Sequence, residues 1–341
     1  MRWLKTIFYI LFPLSVVIGV SYLFQELKDP DGVQPQSGYQ LSSTWPQLPD
    51  SFQLGNPVGL GIDTNQNIVV FHRAGKEWSL TGSFSKDLIA ANTILVIHNQ
   101  TGNLLNSWGS NLFVMPHGLA VDKENNIWVT DIGLHQVFKF TYDGKLLLKL
   151  GIANKPGKDS THFNKPTDIA IAPDGSFFVS DGYGNSRIIK FSPEGKYLSE
   201  WGNPGSQPGE LEIPHALCIA GNRLFVADRE NNRVQQFDLN GHFIKELNSL
   251  SSADITSATT DIAESKIYTI DDLSFMKIKH RGSDIIIADT NGVVLNRFGR
   301  SSNDQPVPAW FHDIVVDNEQ NIFVGDILHN RILKFEKLPT R

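Results

Sequence analysis

Short apolar segments separated by polar turns recur along most of the chain, and they fall into groups of four. In one group the segments are Gly118–Val121, Ile127–Thr130, Val137–Phe140 and Leu146–Leu150. Apolar and polar positions alternate without a helical period, which is typical of strands with one buried face. Four short antiparallel strands in about fifty residues are one blade of a β-propeller.

The first strand of this group has counterparts elsewhere in the chain. The matching segments are PVGLGID (57–63), PHGLAVD (116–122), PTDIAIA (166–172), PHALCIA (214–220), TTDIAES (259–265) and FHDIVVD (311–317). One aliphatic residue marks each segment, namely Leu60, Leu119, Ile169, Leu217, Ile262 and Ile314. The second strands repeat as NIVVFH, NIWVTD, SFFVSD, RLFVAD, KIYTID and NIFVGD. We therefore expect an all-β protein, a six-bladed β-propeller with four antiparallel strands in each blade.

The sixth group ends near Phe335–Leu338 after three strands, so another segment must complete its sheet. Tyr39–Trp45 lies just before the first blade. We expect it to supply the missing strand, which closes the ring and removes an exposed edge. Two insertions interrupt the repeat, Ala74–Asn92 in the first blade and Leu273–Ser283 in the fifth. Loops carry function more often than strands do, although a surface insertion is as often neutral.

The first thirty residues differ from the repeat. Arg2 and Lys5 precede Thr6–Phe24, a run without charge that is just long enough to span a bilayer. The poor cleavage motif VSY (20–22) favours an uncleaved anchor over a removed signal peptide, and the positive flank places the remainder outside the cytoplasm. If the segment is cleaved, the protein is secreted. The expected division is a transmembrane or signal helix at 1–24, a linker at 25–38 and the propeller at 39–341.

Composition narrows the classes of partner. The net charge is −6 and no basic run is present, which argues against nucleic-acid binding. The single cysteine, Cys218, excludes an intramolecular disulfide and a cysteine metal cluster. We expect a monomeric propeller that contacts the membrane through its N-terminal helix.

Histidine recurs at one position of the repeat. The residues two before the aliphatic markers are Val58, His117, Thr167, His215, Thr260 and His312. Histidine therefore stands in the second, fourth and sixth blades only, at separations of 98 and 97 residues. First strands line the channel of a propeller, so three imidazoles about 120° apart converge on its axis. They match the ligand set of a catalytic zinc site, although iron or another divalent ion fits too, and ordinary packing histidines are the alternative.

The loops between second and third strands return to the face of the disc where the first strands begin. They carry Tyr183 and, at equivalent repeat positions, Arg73 and Arg229. A metal with two guanidinium groups makes a site for an anionic or carbonyl-bearing substrate. A tyrosine beside this positive charge could act as a base. Each of the three could also be an ordinary rim residue.

Longer stretches make a more specific resemblance. VVFHRAGKEW, LFVMPHGLAVD, PTDIAIAPDGSFFVSDGYGNSRIIKF and VADRENNRVQQF are similar to peptidyl-α-hydroxyglycine α-amidating lyase, over residues 45–336, and the blades resemble NHL repeats. The resemblance implies a zinc-dependent lyase. It would cleave the C–N bond of a small peptidyl- or acyl-α-hydroxyglycine, giving an amide and glyoxylate.

The resemblance also implies roles for single residues. The zinc ligands would be His117, His215 and His312. Tyr183 would be the base that takes the substrate hydroxyl proton, and Arg73 and Arg229 would orient the substrate. A structural Ca²⁺ would bind the backbone carbonyls of Leu60 and Leu119 and the carboxylate of Asp313, for which a strand-start cap is the alternative.

Two positions depart from the family pattern. Trp310 stands where the family usually has a methionine, and Gly184 stands where animal members have a disulfide cysteine. Two other functional classes stay open. One is a different metal-dependent propeller hydrolase or lactonase, which acidic ligands in the channel would favour. The other is a non-enzymatic NHL scaffold that binds a protein on its disc face.

Overall fold

Six antiparallel sheets are arranged as blades, and the first strand of each lies innermost. The structure is a computed structural model that describes residues 38–78, 83–261, 263, 265–275, 279–299 and 309–339. The expected N-terminal helix, and the linker up to residue 37, lie outside the described residues. Within the described ranges, no helix is long and apolar enough to cross a membrane. The prediction of six blades with four antiparallel strands each is confirmed.

The strands follow the order of the repeat. A short strand, β1 at Tyr39–Leu41, precedes the first blade. Blade one has β2 Pro57–Ile62, β3 Ile68–His72, β4 Ile94–Ile97 and β5 Leu104–Trp108. Blade two has β6 Pro116–Val121, β7 Ile127–Asp131, β8 Gln136–Phe140 and β9 Leu146–Leu150. Blade three has β10 Asp168–Ile171, β11 Phe177–Asp181, β12 Arg187–Phe191 and β13 Tyr197–Trp201.

The remaining blades complete the ring. Blade four has β14 Pro214–Ala220, β15 Arg223–Asp228, β16 Arg233–Asp238 and β17 Phe243–Leu247. Blade five has β18 Asp254–Thr260, β19 Lys266–Phe275, β20 Lys279–Gly282, β21 Asp284–Asp289 and β22 Val294–Gly299. Blade six has β23 Phe311–Val316, β24 Ile322–Asp326 and β25 Arg331–Lys337. The predicted insertion in blade five forms a hairpin, because β20 pairs with the end of β19.

The chain closes the ring by pairing β1 with β25, as predicted. Tyr39 lies opposite Lys337 and Leu41 opposite Phe335 in this antiparallel pair. Tyr39 is buried, and its ring stacks on Phe298 of blade five at a centroid distance of 5.1 Å. The strand is shorter than the predicted Tyr39–Trp45, since it ends at Leu41.

Burial explains why the repeat is readable in the sequence. The second strand of a blade is covered on both faces by neighbouring blades, so every residue of β3, β7, β11 and β24 is buried. Such strands are continuous apolar runs. The outermost strands are covered less, and every residue of β9 is exposed or half-buried. The hydrophobic cores lie between adjacent sheets, where each fully buried large apolar side chain contributes about 1.5–3 kcal/mol.

The predicted first strand of blade five is wrong by four residues. The sequence suggested TTDIAES (259–265), with Thr260 at the position that histidine holds in other blades. The innermost strand is β18, which ends at Thr260. Thr256 takes the histidine-equivalent position, because its carbonyl oxygen lies 2.6 Å from His215 Nδ1. The strand DITSATT consists mostly of small and polar residues, whereas TTDIA shares TDIA with PTDIA (166–170) of blade three, so the sequence pattern favoured the wrong segment.

Candidate metal centre and active site

Three histidines from alternate blades meet at the axis of the ring. Each is the second residue of an innermost strand, and they are His117 on β6, His215 on β14 and His312 on β23. All three are buried, and one candidate ligand atom from each lies within 4.8 Å of the others. The structure brings together the residues that the sequence predicted as ligands, and this cluster could hold a metal ion.

A backbone carbonyl of the next blade orients each imidazole. The Nδ1 distances are 2.7 Å from His117 to the Thr167 oxygen, 2.6 Å from His215 to the Thr256 oxygen and 2.8 Å from His312 to the Val58 oxygen. A carbonyl oxygen only accepts hydrogen bonds, so Nδ1 carries the proton and donates. In a neutral imidazole, Nε2 then keeps its lone pair and is available to a metal.

The surroundings keep these imidazoles uncharged. Burial and the neighbouring histidines lower the pKa of His117, while burial and the charge of Arg229 lower the pKa of His215. Burial, aided by the charge of Arg73, lowers the pKa of His312 to about 3. Metals bind neutral histidine, so protons do not compete for these nitrogens near neutral pH.

A one-turn helix places Tyr183 beside the histidines. Its hydroxyl oxygen lies 3.1 Å from Nε2 of His117 and 3.1 Å from Nε2 of His215. The helix spans Gly182–Asn185 directly after β11, and it ends at Ser186, which is left-handed with φ 51°. The hydroxyl therefore reaches the nitrogens that face a metal.

Asp181 holds this helix in place from the end of β11. Its carboxylate accepts hydrogen bonds from the Asn164 backbone N–H at 2.7 Å and from Asn185 Nδ2 at 2.6 Å. It also accepts one from Arg187 Nε at 3.0 Å. Both sides of the helix are thus tied to one buried carboxylate, which limits how far Tyr183 can move.

Gly182 and Gly184 on either side of Tyr183 leave no room for a side chain. A Cβ on Gly182 would lie 2.2 Å from the Pro214 carbonyl oxygen of the next blade. A Cβ on Gly184 would lie 2.2 Å from Cγ of Asn164. Asn164 therefore fills the space beside the position where the sequence resemblance noted a disulfide cysteine.

Two guanidinium groups flank Tyr183. Arg229 follows β15, and its Nη1 lies 3.5 Å from the tyrosine hydroxyl with the guanidinium carbon 5.5 Å from the ring centroid. Arg73 follows β3, is buried, and donates from Nε to the Pro116 carbonyl at 3.0 Å. Burial lowers the pKa of Arg73 to about 10, so this residue stays charged at neutral pH. The structure thus gathers the predicted tyrosine and both predicted arginines at the histidine cluster.

Two carboxylates face the channel one residue further along the innermost strands. Asp313 accepts a hydrogen bond from the Leu60 N–H at 2.7 Å, and Asp168 of blade three accepts one from the Leu217 N–H at 2.8 Å. Burial raises the pKa of Asp313 to about 6. Burial and the charge of Asp313 raise the pKa of Asp168. The two side chains therefore repel each other as carboxylates.

The predicted calcium ligands lie at this pair. Leu60, Leu119 and Asp313 line one pocket of about 200 Å³ in the channel. Asp168 lines the same pocket and was not among the predicted ligands, although it stands at the same repeat position as Asp313. Two carboxylates held close together favour a hard cation with oxygen ligands, so these residues fit Ca²⁺.

Comparison with known proteins places the chain among propellers. A family profile described as "6-bladed beta-propeller" matches residues 157–337, which is more than half of the chain. The chain belongs to this family of six-bladed propellers. A second profile, "NHL repeat", matches residues 113–140 of the propeller.

Several relatives of this propeller carry amidating enzyme names, which confirms the resemblance seen in the sequence. Peptidyl-glycine alpha-amidating monooxygenase B of Xenopus laevis is 36% identical over 309 residues, covering 85% of this chain and 35% of that protein. Peptidyl-alpha-hydroxyglycine alpha-amidating lyase 1 of Drosophila melanogaster is 32% identical over 327 residues, covering 87% and 59%. A probable lyase of the same name from Caenorhabditis elegans is 40% identical over 198 residues, covering 55% and 57%. The propeller spans about a third of the length of the Xenopus protein.

Solved structures share the architecture at low identity. A virginiamycin B lyase from Staphylococcus aureus is 15% identical with a TM-score of 0.53, covering 87% of this chain and 99% of that one. A gluconolactonase from Xanthomonas campestris is 14% identical with a TM-score of 0.58, covering 91% and 97%. These likenesses establish the fold of the propeller.

Proposed function

We propose that the protein is a metal-dependent lyase that cleaves the C–N bond of a peptidyl-α-hydroxyglycine, giving a peptide amide and glyoxylate. The observation that carries the proposal is the Tyr183 hydroxyl, 3.1 Å from Nε2 of both His117 and His215. A base in contact with the ligand nitrogens suits a reaction that begins by deprotonating a hydroxyl group. Relatives named as lyases for this substrate support the same reading.

Zinc is the proposed metal, held by Nε2 of His117, His215 and His312. The donor set fits, because three neutral nitrogens with an open position are typical of catalytic zinc. When bound, zinc acts as a Lewis acid that makes a nearby hydroxyl group easier to deprotonate.

Tyr183, in its phenolate form, takes the proton of the carbinol hydroxyl group. The electron pair of that O–H bond then forms the new C=O bond, and the C–N bond breaks with its electrons moving to nitrogen. The nitrogen gains a proton and leaves as a primary amide, while the former α-carbon becomes the aldehyde of glyoxylate. Tyr183 can return the proton that it took, since the hydroxyl is held near the reacting atoms.

Arg73 and Arg229 bind the carboxylate of the hydroxyglycine. Arg73 donates a hydrogen bond from Nε to the Pro116 carbonyl, so its two terminal amino groups are left for the substrate. Among the described residues, Asp131 is a buried carboxylate whose charge acts on Arg73 and raises its pKa against the effect of burial. A buried guanidinium with free terminal amino groups is a strong carboxylate site, because bidentate pairing offsets its desolvation. Arg229 is paired with Glu230 at 3.0 Å and lies over Tyr183, so it also limits the approach of the substrate.

A structural Ca²⁺ is proposed for the channel pocket. Asp313 and Asp168 supply carboxylates from opposite blades, and the backbone carbonyls of Leu60 and Leu119 complete the oxygen ligands. The cation would remove the repulsion between the two carboxylates, and so it would stabilise the centre of the ring.

The organisation of the rest of the chain is also a proposal. Residues 1–24 form a membrane anchor or signal helix, residues 25–38 a linker, and residues 39–341 a monomeric propeller outside the cytoplasm. The uncharged run that follows Arg2 and Lys5 supports the anchor and its direction.

Metal analysis combined with a glyoxylate-release assay tests the proposed function. The purified protein should contain about one zinc at the histidines and release glyoxylate from an N-acyl-α-hydroxyglycine. Bound metal without glyoxylate release would indicate another metal-dependent propeller enzyme, for which the channel carboxylates are the supporting observation. Absence of both would indicate a protein-binding scaffold.

A further inference from the structure

The insertion in blade one brings an aromatic pair to Tyr183. The Trp78 ring lies edge-on to the Tyr183 ring, with centroids 6.1 Å apart and planes at 70°. Phe84 packs on Trp78, with ring centroids 5.0 Å apart and planes at 82°. Both side chains are half-buried, and both belong to the segment Ala74–Asn92 that interrupts the repeat. The proposed chemistry leaves this pair without a role.

Two lysine ammonium groups lie over the rings of this aromatic pair. Lys165 Nζ lies 5.7 Å above the Trp78 ring, and Lys86 Nζ lies 4.7 Å above the Phe84 ring. Lys86 also donates to the Gly133 carbonyl at 3.3 Å, which fixes it at the edge of blade two. Each ring therefore has a cation over one face and packs on the core of blades one and two, and both rings keep some exposed surface beside Tyr183.

The other neighbours of Tyr183 leave the side that faces Trp78 for the substrate. His117 and His215 surround its hydroxyl, and Arg229 lies over its ring. The carboxylate of a hydroxyglycine is directed to the arginines, so the acyl group on the opposite end of the reacting bond must extend elsewhere. Among the described residues, Trp78 is the remaining aromatic contact of Tyr183.

We propose that Trp78 and Phe84 form the subsite for the acyl group that precedes the hydroxyglycine, and that this subsite prefers flat apolar groups. The inference rests on the proposed lyase function. Aromatic rings pair with a flat partner more favourably than area alone predicts, and each buried apolar group adds to binding. The reaction centre contacts only the hydroxyglycine. The insertion thus lets the protein also select the group that precedes it.

Paired substrates test the subsite on the metal-loaded protein. N-benzoyl-α-hydroxyglycine and N-acetyl-α-hydroxyglycine present the same reacting end with a flat and a small acyl group. The wild-type protein should show kcat/KM about tenfold higher for the benzoyl compound, mainly through a lower KM. In Trp78→Ala the kcat/KM values for the two compounds should differ by no more than about twofold. Phe243→Ala, at an exposed position of β17, is the matched control and should keep the ratio.

Phe84→Ala gives a second measurement at a residue whose ring packs on Trp78. It should lower the ratio of kcat/KM for the benzoyl compound to that for the acetyl compound severalfold. Thermal unfolding shows whether each variant is folded, and if Trp78→Ala is not, Trp78→Leu replaces it and should likewise lose the aromatic preference.

Three outcomes would overturn the proposal. Equal kcat/KM for both compounds in the wild-type protein would show that no such subsite exists. An equal loss of kcat on both compounds in Trp78→Ala would make Trp78 a positioning residue for Tyr183. If neither compound releases glyoxylate, the lyase function itself is rejected, and the subsite with it.

Discussion

The Nδ1 atom of His215 lies 2.6 Å from the backbone carbonyl oxygen of Thr256, on the next blade of the ring. His117 and His312 make the same contact with their own following blades. Each candidate ligand is therefore oriented by a strand other than its own. A ligand set built in this way is held in place by the packing of the whole ring, and its nitrogens need little rearrangement to bind a metal.

His215→Ala should abolish stoichiometric zinc binding, because the two remaining histidines are one short of the three protein ligands of a catalytic zinc site. Elemental analysis of protein purified without chelator measures the zinc content directly. His242→Ala is the control, since His242 is an exposed histidine on a turn of blade four. Unchanged zinc content in His215→Ala would exclude this residue as a ligand.

Tyr183→Phe should keep its zinc and lose turnover. Phenylalanine retains the ring that packs against Trp78 and Arg229, but it removes the phenolic oxygen that accepts the substrate proton. Loss of a general base lowers kcat by about 10²–10⁴-fold. A variant that still releases glyoxylate at the wild-type rate would show that another group is the base.

Arg73→Lys should lower kcat/KM by about 10–100-fold, because an ammonium group cannot pair with a carboxylate through two parallel hydrogen bonds. The loss should appear in KM as well as in kcat. Arg223→Lys, at an exposed position of β15, is the matched control. Identical kinetics for Arg73→Lys and the wild-type protein would place the substrate carboxylate elsewhere.

Calcium should stabilise the chelator-treated protein. At a concentration 100 times its Kd, a bound cation adds about 2.7 kcal/mol to the free energy of unfolding. Thermal unfolding with and without Ca²⁺ measures this as a rise in midpoint temperature. The rise should be lost in Asp313→Asn and kept in Asp174→Asn, which changes an exposed turn. A rise of the same size in Asp313→Asn would move the cation away from this pocket.

Acid should weaken the folded state through His72, which ends β3, whereas the second strands β7, β11, β15 and β24 end in aspartate. Its Nδ1 accepts from the Gly55 and Ala74 N–H groups, each at 3.1 Å, and burial lowers its pKa from 6.5 to about 4. Between these values the unfolded chain binds a proton that the folded chain does not. The contribution of His72 to the free energy of unfolding is therefore full above pH 6.5, and it is lost as the pH drops toward 4.

His72→Asn tests this contribution, because asparagine still accepts a hydrogen bond and does not titrate. Urea unfolding at pH 7 and pH 4.5 should show a smaller loss for the variant, by on the order of 2 kcal/mol. The quantity compared is the loss of unfolding free energy between the two pH values, so a cost of the substitution that is the same at both values cancels. Equal losses in both proteins would mean that His72 does not control the acid response.

The sequence was sufficient for the fold because the second strands are buried on both faces and repeat clearly. It failed in blade five, where β18 is built from small and polar residues and TTDIA imitates the apolar pattern of other first strands. Blade order alone predicted that His117, His215 and His312 would meet, since alternate blades of a closed ring point at one axis.

Other parts of the site depend on tertiary contacts that no periodicity encodes. Asp168 shares a repeat position with Asp313, but its role emerges only when both are seen to face one pocket. Trp78 lies in an insertion without strand periodicity, so its contact with Tyr183 could not be read from the repeat. The partner of His215 was also hidden, because the blade-five alignment placed Thr260 where Thr256 stands.

The hydrogen bond from His312 to Val58 joins residues 254 positions apart. Val58 belongs to the first blade and His312 to the last, so the two meet only when the ring is closed. A polypeptide still being synthesised, or one clipped before its final strand, would hold all three histidines without aligning the third. Uptake of the ion would then report that the disc has been completed, and unfinished chains would remain inert.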